Sequence, residues 1–251
     1  MVEHCDVVAV GAHPDDVEIG CGGTLARLAA RGLRVGIADL SAGELATRGD
    51  VATRSAEAEA AGRIVGATWR SCLALPDGGV RGDDAAQLAP VVGVLRAAAP
   101  RALLLPHPGD PHPDHGEAAR LVLRAVVCSN LARYRPELGP AHRVRLLLAY
   151  QGPRQLLEPS VVVDITAYIG TKRRALAAHA SQFDSGTGAP THLASGYFLA
   201  AVEGRDRAAG NLAGCEFGEG FATLGPLPAE ELAWLLGQGV TDGGGRRSGT
   251  E

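Results

Sequence analysis

The stretch Gly11-Ala12-His13-Pro14-Asp15-Asp16 follows the apolar run Val7–Val10, and the reading of that junction decides the fold. A short apolar run bounded by a turn reads as a strand buried on both faces, the kind found in parallel sheets. Pro14 continues neither a ladder nor a helix interior, so the strand ends in a loop. That loop carries one imidazole and two carboxylates within four residues. Alone, it could be a turn that uses Pro and Asp for turn chemistry. A second polar stretch, about a hundred residues further on, changes its meaning.

Between the two, strands and helices alternate. Gly20-Cys21-Gly22-Gly23-Thr24 leads into a helix over Leu25–Arg31, stopped by Gly32. Leu33–Leu40 reads as the second strand, Ser41–Asp50 as a polar loop, and Ala52–Val65 as an alanine-rich helix stopped by Gly66. Trp69–Leu75 is the third strand and Pro76-Asp77-Gly78-Gly79 a turn. Asp84–Ala99 is a helix with a break expected at Pro90, and Arg101–Leu105 is the fourth strand. A helix is expected over Glu117–Arg133. This β-α repeat predicts an α/β fold: a Rossmann-like, doubly wound, mostly parallel sheet with helices on both faces.

The second half is less regular. Strands are expected at Arg145–Tyr150 and Val161–Asp164, helices at Thr166–Ala180, Thr191–Ala209 and Pro228–Leu236, and partly extended chain over Ala213–Thr223. The reading is one domain over residues 1–238 with an elaborated C-terminal part, then a disordered glycine-rich tail over 239–251.

The second polar stretch is Pro106-His107-Pro108-Gly109-Asp110-Pro111-His112-Pro113-Asp114-His115-Gly116, with three histidines, two aspartates and four prolines in eleven residues. A solvated loop has no need of three histidines. In doubly wound sheets, ligands bind beyond the carboxyl ends of the strands, where the strand order reverses. With the order 3-2-1-4, strands one and four are neighbours across that reversal. Connectivity alone therefore sets His13, Asp15 and Asp16 beside His112, Asp114 and His115.

Two imidazoles and a carboxylate suit a divalent metal, and an open coordination position makes such a site catalytic. A metal brings the pKa of water toward neutrality. A surplus carboxylate can take a proton, and a surplus histidine can steady an oxyanion. Those parts describe metal-assisted hydrolysis of an amide or ester. A dinucleotide site is not indicated, because the turn after strand one is Gly-Ala-His-Pro, without G-x-G-x-x-G. The Gly20–Gly23 run instead reads as letting a helix N-terminus approach the site closely. Cys21, within it, reads as buried filler.

Composition narrows the partners. The 251 residues are 46% hydrophobic, enough for a sizeable core, and the net charge of −4 implies no basic face for nucleic acid. Basic charge is almost all arginine, with Lys172 the one lysine. No run is long enough to span a membrane and no leader is read at the N-terminus. The five cysteines are scattered without a C-x-x-C, which fits free thiols in a reducing cytoplasm.

Gly11-Ala12-His13-Pro14-Asp15-Asp16-Val17-Glu18-Ile19-Gly20-Cys21-Gly22-Gly23-Thr24, paired with His112-Pro113-Asp114-His115-Gly116, resembles the LmbE-like (PIG-L type) zinc deacetylases, which remove acetyl groups from N-acetylglucosaminyl compounds. Further stretches resemble the bacillithiol-pathway branch, which acts on N-acetylglucosaminyl malate: Gly36–Leu45, Leu75-Pro76-Asp77, Ala180-Ser181-Gln182-Phe183, Ser195-Gly196-Tyr197 and Glu219-Gly220-Phe221. The resemblance implies His13, Asp16 and His115 as metal ligands for zinc or ferrous iron. It implies Asp15 as general base, His112 as the group that polarises the carbonyl, and Asp114 as the residue that orients the histidines. It further implies Arg54, Asp77 and Tyr197 as substrate-binding residues, with Arg54 apt to fork onto a malyl carboxylate. The branch usually carries an arginine just before its His-Pro-Asp-His, where this chain has Pro111, and that departure bears on the aglycone. The implied partners are a small acetylated amino-sugar and further copies of the chain in a homo-oligomer. Rival readings are a related deacetylase or amidase of the mycothiol precursor, a thiol conjugate or another acetylated amino-sugar, and a non-catalytic metal- or sugar-binding module.

Overall fold

The computed structural model describes residues 1–155, 158–186 and 188–237; the tail expected at 239–251 lies outside them. Seven strands form one sheet: β1 (Val7–Gly11), β2 (Val35–Ser41), β3 (Trp69–Leu75), β4 (Ala102–Pro106), β5 (Leu146–Tyr150), β6 (Val161–Asp164) and β7 (Gly218–Thr223). Their order is β3-β2-β1-β4-β5-β7-β6. The first five are parallel, and β7 runs antiparallel to both β5 and β6. The helices are α1 (Asp16–Ala30), α2 (Val51–Val65), α3 (Ala85–Ala98), α4 (Pro113–Ser129), α5 (Ile169–Ala178), α6 (Ala180–Phe183), α7 (Phe198–Ala213) and α8 (Ala229–Leu236).

Every residue of β1, β2 and β4 is buried. Alternate residues of β1 enter different cores. Val8 and Val10 pack with Leu40, Leu95, Leu103 and Leu121 on the α3–α4 face, while Val7 and Ala9 pack with Leu25, Ile37, Leu104 and Leu148 on the α1–α2 face. Both faces of the sheet are thus covered, as parallel strands require. The expected α/β class holds, and so does the reversal between strands one and four. Among the described residues no helix is long and apolar enough to cross a membrane.

Several boundaries differ from the sequence reading. α1 begins at Asp16, so the Gly20–Gly23 run lies within its span, and the N–H groups of Gly23 and Thr24 face Glu219 and not the His/Asp loops. The helix kinks there, with Cys21 at φ −147°. Close packing accounts for the small residues: a Cβ on Gly20 would lie 2.2 Å from the Tyr150 ring. α4 starts at Pro113 because proline fits the first turn of a helix, where its missing N–H costs nothing. α3 runs on through Pro90, held by buried Leu88, Val91, Val92 and Leu95. Residues 191–197 are not helical, and α7 starts only at Phe198, after Gly196 at φ +77°.

Candidate metal centre

β1 and β4 are paired in parallel register, so the loops leaving Gly11 and Pro106 emerge at one edge of the sheet. The first turns of α1 and α4 then carry Asp16 and His115 toward each other. Asp16 stands between two imidazoles. Its Oδ1 lies 3.1 Å from His115 Nε2 and its Oδ2 3.4 Å from His13 Nδ1; Oδ2 also accepts from the His13 backbone N–H at 2.8 Å. The far nitrogen of each ring faces another carboxylate. His13 Nε2 is 3.1 Å from Asp77 Oδ1 and 3.2 Å from Asp114 Oδ2, and His115 Nδ1 is 3.2 Å from Asp110 Oδ2.

These carboxylates are themselves fixed. Asp114 Oδ2 accepts from Gly78 N at 2.7 Å, Asp77 Oδ2 from Leu45 N at 2.9 Å, and Asp110 Oδ1 from His112 N at 2.8 Å. His112 is exposed at the rim. Its ring stacks on His115 with centroids 4.5 Å apart and meets His13 edge-on at 5.1 Å. Among the described residues, two groups offer ligand atoms within 4.8 Å of one another: His13, His112 and His115, and His13, Asp77 and Asp114.

The donor set fits a small divalent cation. With bonds near 2.0–2.1 Å, neighbouring ligand atoms of a tetrahedral zinc lie about 3.3 Å apart. Asp16 lies near that separation from both imidazoles, 3.4 Å from His13 through Oδ2 and 3.1 Å from His115 through Oδ1, so one oxygen faces each ring. A carboxylate behind each imidazole is the arrangement that orients histidine ligands and makes them more basic. The charges agree. Burial pushes the Asp16 carboxyl up, but His115 and His13 beside it outweigh that and hold it well below the usual range. Burial pushes both imidazoles down, yet Asp16 with Asp77 takes His13 to about 11, and Asp16 with Asp110 takes His115 to about 10. His112 is pushed down by burial and by its two positive neighbours.

Asp15 has a different environment. It is 4% exposed, with φ +128°. Burial and then the charge of Asp16 raise its carboxyl to about 6, against the pull of Arg54. Arg54, on α2 and itself 4% exposed, donates from Nη2 to Pro14 O at 2.9 Å and Asp15 Oδ2 at 3.3 Å, and from Nη1 to Gly43 O at 2.8 Å. Both oxygens of Asp77 are engaged within the protein, although the residue lines the cleft. Tyr197 is not brought into the cleft. Its ring is 61% exposed, with the hydroxyl 3.2 Å from His192 Nδ1, while Thr191, Leu193 and Phe198 form that wall. His107, the third histidine of the stretch, instead accepts from Gly109 N and pairs with Gln155.

The cleft over the site has a volume of about 680 Å³. It is lined by the His/Asp cluster, by apolar Ile19, Leu45, Leu193 and Phe198, and by Arg48 and Arg154. Sequence reasoning passed over Asp110, which showed only as the residue before Pro111. It also missed a buried ionic network behind the site. Arg70 on β3 meets Asp39 on β2 at 2.6 Å and Glu18 on α1 at 2.5 Å, and His179 Nε2 lies 3.4 Å from Glu18. The available signal was a charged residue inside each of two strands, Asp39 and Arg70.

Comparison with known proteins gives consistent matches. A family model described as PIG-L: GlcNAc-PI de-N-acetylase matches residues 8–126. The diacetylchitobiose deacetylase of Thermococcus kodakarensis is 30% identical over 192 residues, 70% of each chain. The 1D-myo-inositol 2-acetamido-2-deoxy-alpha-D-glucopyranoside deacetylase of Streptomyces avermitilis is 29% identical over 243 residues, 71% of this chain and 83% of that one. A 60-residue stretch is 42% identical to the uncharacterized deacetylase YaiS of Escherichia coli, covering 24% of this chain and 32% of that protein. Among solved structures, the conserved protein TT1542 from Thermus thermophilus superposes with a TM-score of 0.81 at 36% identity, covering 89% of this chain and 96% of the other.

Proposed function

The chain belongs to the PIG-L de-N-acetylase family, and from that premise we propose that it is a zinc-dependent hydrolase that removes the acetyl group from an N-acetylglucosaminyl compound. The observation that carries the reading is the division of labour between two adjacent aspartates. Asp16 is committed to His13 and His115, while Asp15 makes no contact with either ring and stays beside them. A binding module needs ligands but no surplus base.

His13, Asp16 and His115 would hold the cation, with Asp77, Asp114 and Asp110 behind the rings. A divalent ion held there supplies Lewis acidity toward a carbonyl oxygen and acidifies water; ferrous iron would serve in place of zinc. Asp15 accepts the proton of the attacking water as its oxygen adds to the acetyl carbon. His112, at the rim, donates to the oxyanion that forms on the substrate. The C–N bond then breaks, the proton passes to the nitrogen, and acetate and a free amine leave.

The cleft has room for a sugar ring and an aglycone. For the aglycone we propose L-malate, as in bacillithiol synthesis, with the reaction in the cytoplasm, where five unpaired thiols persist. The Streptomyces relative favours a second reading, an inositol aglycone. The test is to incubate zinc-loaded protein with N-acetylglucosaminyl malate, N-acetylglucosaminyl inositol and diacetylchitobiose and to assay free amine. The malate glycoside is expected to give the highest kcat/KM. Chelation is expected to stop turnover and zinc to restore it, and Asp15→Asn to lower kcat by about 10²–10⁴-fold with metal retained. Absence of amine from all three substrates would sink the deacetylase reading. Function intact in Asp15→Asn but lost with metal in His13→Ala would favour a binding module.

A further inference from the structure

Asp15 occupies the position before α1 where an aspartate ordinarily caps the helix by accepting from its first free N–H groups. It does not do so, because its side chain makes no capping hydrogen bond. Its backbone is in the positive-φ region, at φ +128° and ψ −26°, which side-chain-bearing residues rarely adopt. Something must hold both the unusual backbone and the uncapped carboxylate, and such strain persists only where its surroundings impose it.

The surrounding contacts converge on one side chain. The two N–H groups of Arg54 Nη2 go to Pro14 O, the peptide preceding Asp15, and to Asp15 Oδ2. Nη1 is tied to Gly43 O at 2.8 Å. The guanidinium sits in a space that only glycine leaves open, since a Cβ on Gly43, itself at φ +66°, would lie 1.8 Å from Nη1. Nη1 and both N–H groups of Nη2 are thus engaged inside the protein, and Nε, buried without a partner, is left alone, so the Nη1–Nη2 fork is not open to a substrate carboxylate.

We propose that Arg54 is a positioning residue for the general base. It pins the Pro14–Asp15 turn and aims the Asp15 carboxylate away from the helix cap and toward the reacting water, so that it contributes to kcat and does not bind the aglycone. The inference rests on the deacetylase reading for its kinetic consequence, though not for its structural one.

The experiment uses full-length zinc-loaded Arg54→Gln and, to keep the arginine while displacing it, Gly43→Ala. On whichever acetylated sugar the wild type turns over, both are expected to lose kcat by about 10²-fold, the cost of a base displaced by about an ångström. KM should stay within about threefold, as for an interaction made only in the transition state. Guanidinium in solution is expected to restore part of the kcat of Arg54→Gln. A rise in KM with kcat kept would overturn the proposal and make Arg54 a substrate ligand. A crystal structure of Arg54→Gln supplies an arm independent of activity: Asp15 should leave positive φ and its carboxylate should turn to cap α1. An Asp15 unmoved in that variant would overturn the proposal even if the wild type deacetylated nothing. A wild type inactive on every acetylated sugar would sink only the functional reading.

Discussion

Asp110 shows how far the proposed metal site would depend on residues outside its ligand set. Its Oδ2 packs on Gly152 so closely that a Cβ there would lie 1.7 Å from it. Gly152→Ala must therefore push Asp110 off His115. Losing such a partner typically costs 10–100-fold in metal affinity, so zinc competition titration should show a loss of about that size, with thermal stability nearly unchanged. An unchanged zinc affinity would show that Asp110 does not orient His115. At this scale the sequence revealed side chains and concealed their partners. His13, Asp16 and His115 were legible because imidazoles and carboxylates gather there without any other use. The surroundings of Arg54 were not, since its partners include the carbonyls of Pro14 and Gly43, and no side-chain pattern reports where a carbonyl points.

α1 is two helical pieces joined at Cys21, and the second piece has an unusual cap. Glu219 of β7 reaches across to accept from Gly23 N at 2.9 Å and Thr24 N at 2.6 Å, while Lys172 of α5 binds the same carboxylate at 2.6 Å and Asp206 at 2.7 Å. The C-terminal elements thereby hold the helix whose first turn carries Asp16. The alternation of strands and helices was readable from apolar runs and glycine stops. The starts of α2 and α3 were readable to within a residue, but those of α1 and α4 were not, because Pro14 and Pro113 read as breakers, while Pro113 in fact opens a helix. Docking of α8 gives a test by pH. Burial pushes the Glu231 carboxyl up, but Arg101 at 2.5 Å and Arg145 at 3.4 Å hold it below the usual range. A depressed carboxyl stabilises the fold above its ordinary pKa near 4.3, and that contribution is lost as pH falls through the lowered value. Arg101 is 36% exposed, so the pair is worth about 1 kcal/mol. Melting temperatures of wild type and Glu231→Gln should differ at pH 7 and converge in acid, once pH has fallen through the lowered Glu231 value; a gap that persisted throughout acid would assign the effect to packing.

For the molecule as a whole, strand order is what unites the site. The two polar stretches are about a hundred residues apart in the chain and meet only because β1 and β4 are neighbours at the reversal. The same sheet hides much charge beneath the cleft, including Lys172, 1% exposed between two carboxylates. That burial has a practical consequence, because Lys172 is the one lysine in the sequence. A protease that cuts only after lysine has a single target here, and it is sealed until α5 leaves α1 and α2. Digestion of the native protein should be slow, yield two fragments and accelerate with denaturant, its rate following the fraction of molecules open at α5. Cleavage as fast in buffer as in urea would contradict the packing. The chain thus carries its own unfolding clock, read as one cut per opened molecule without any label.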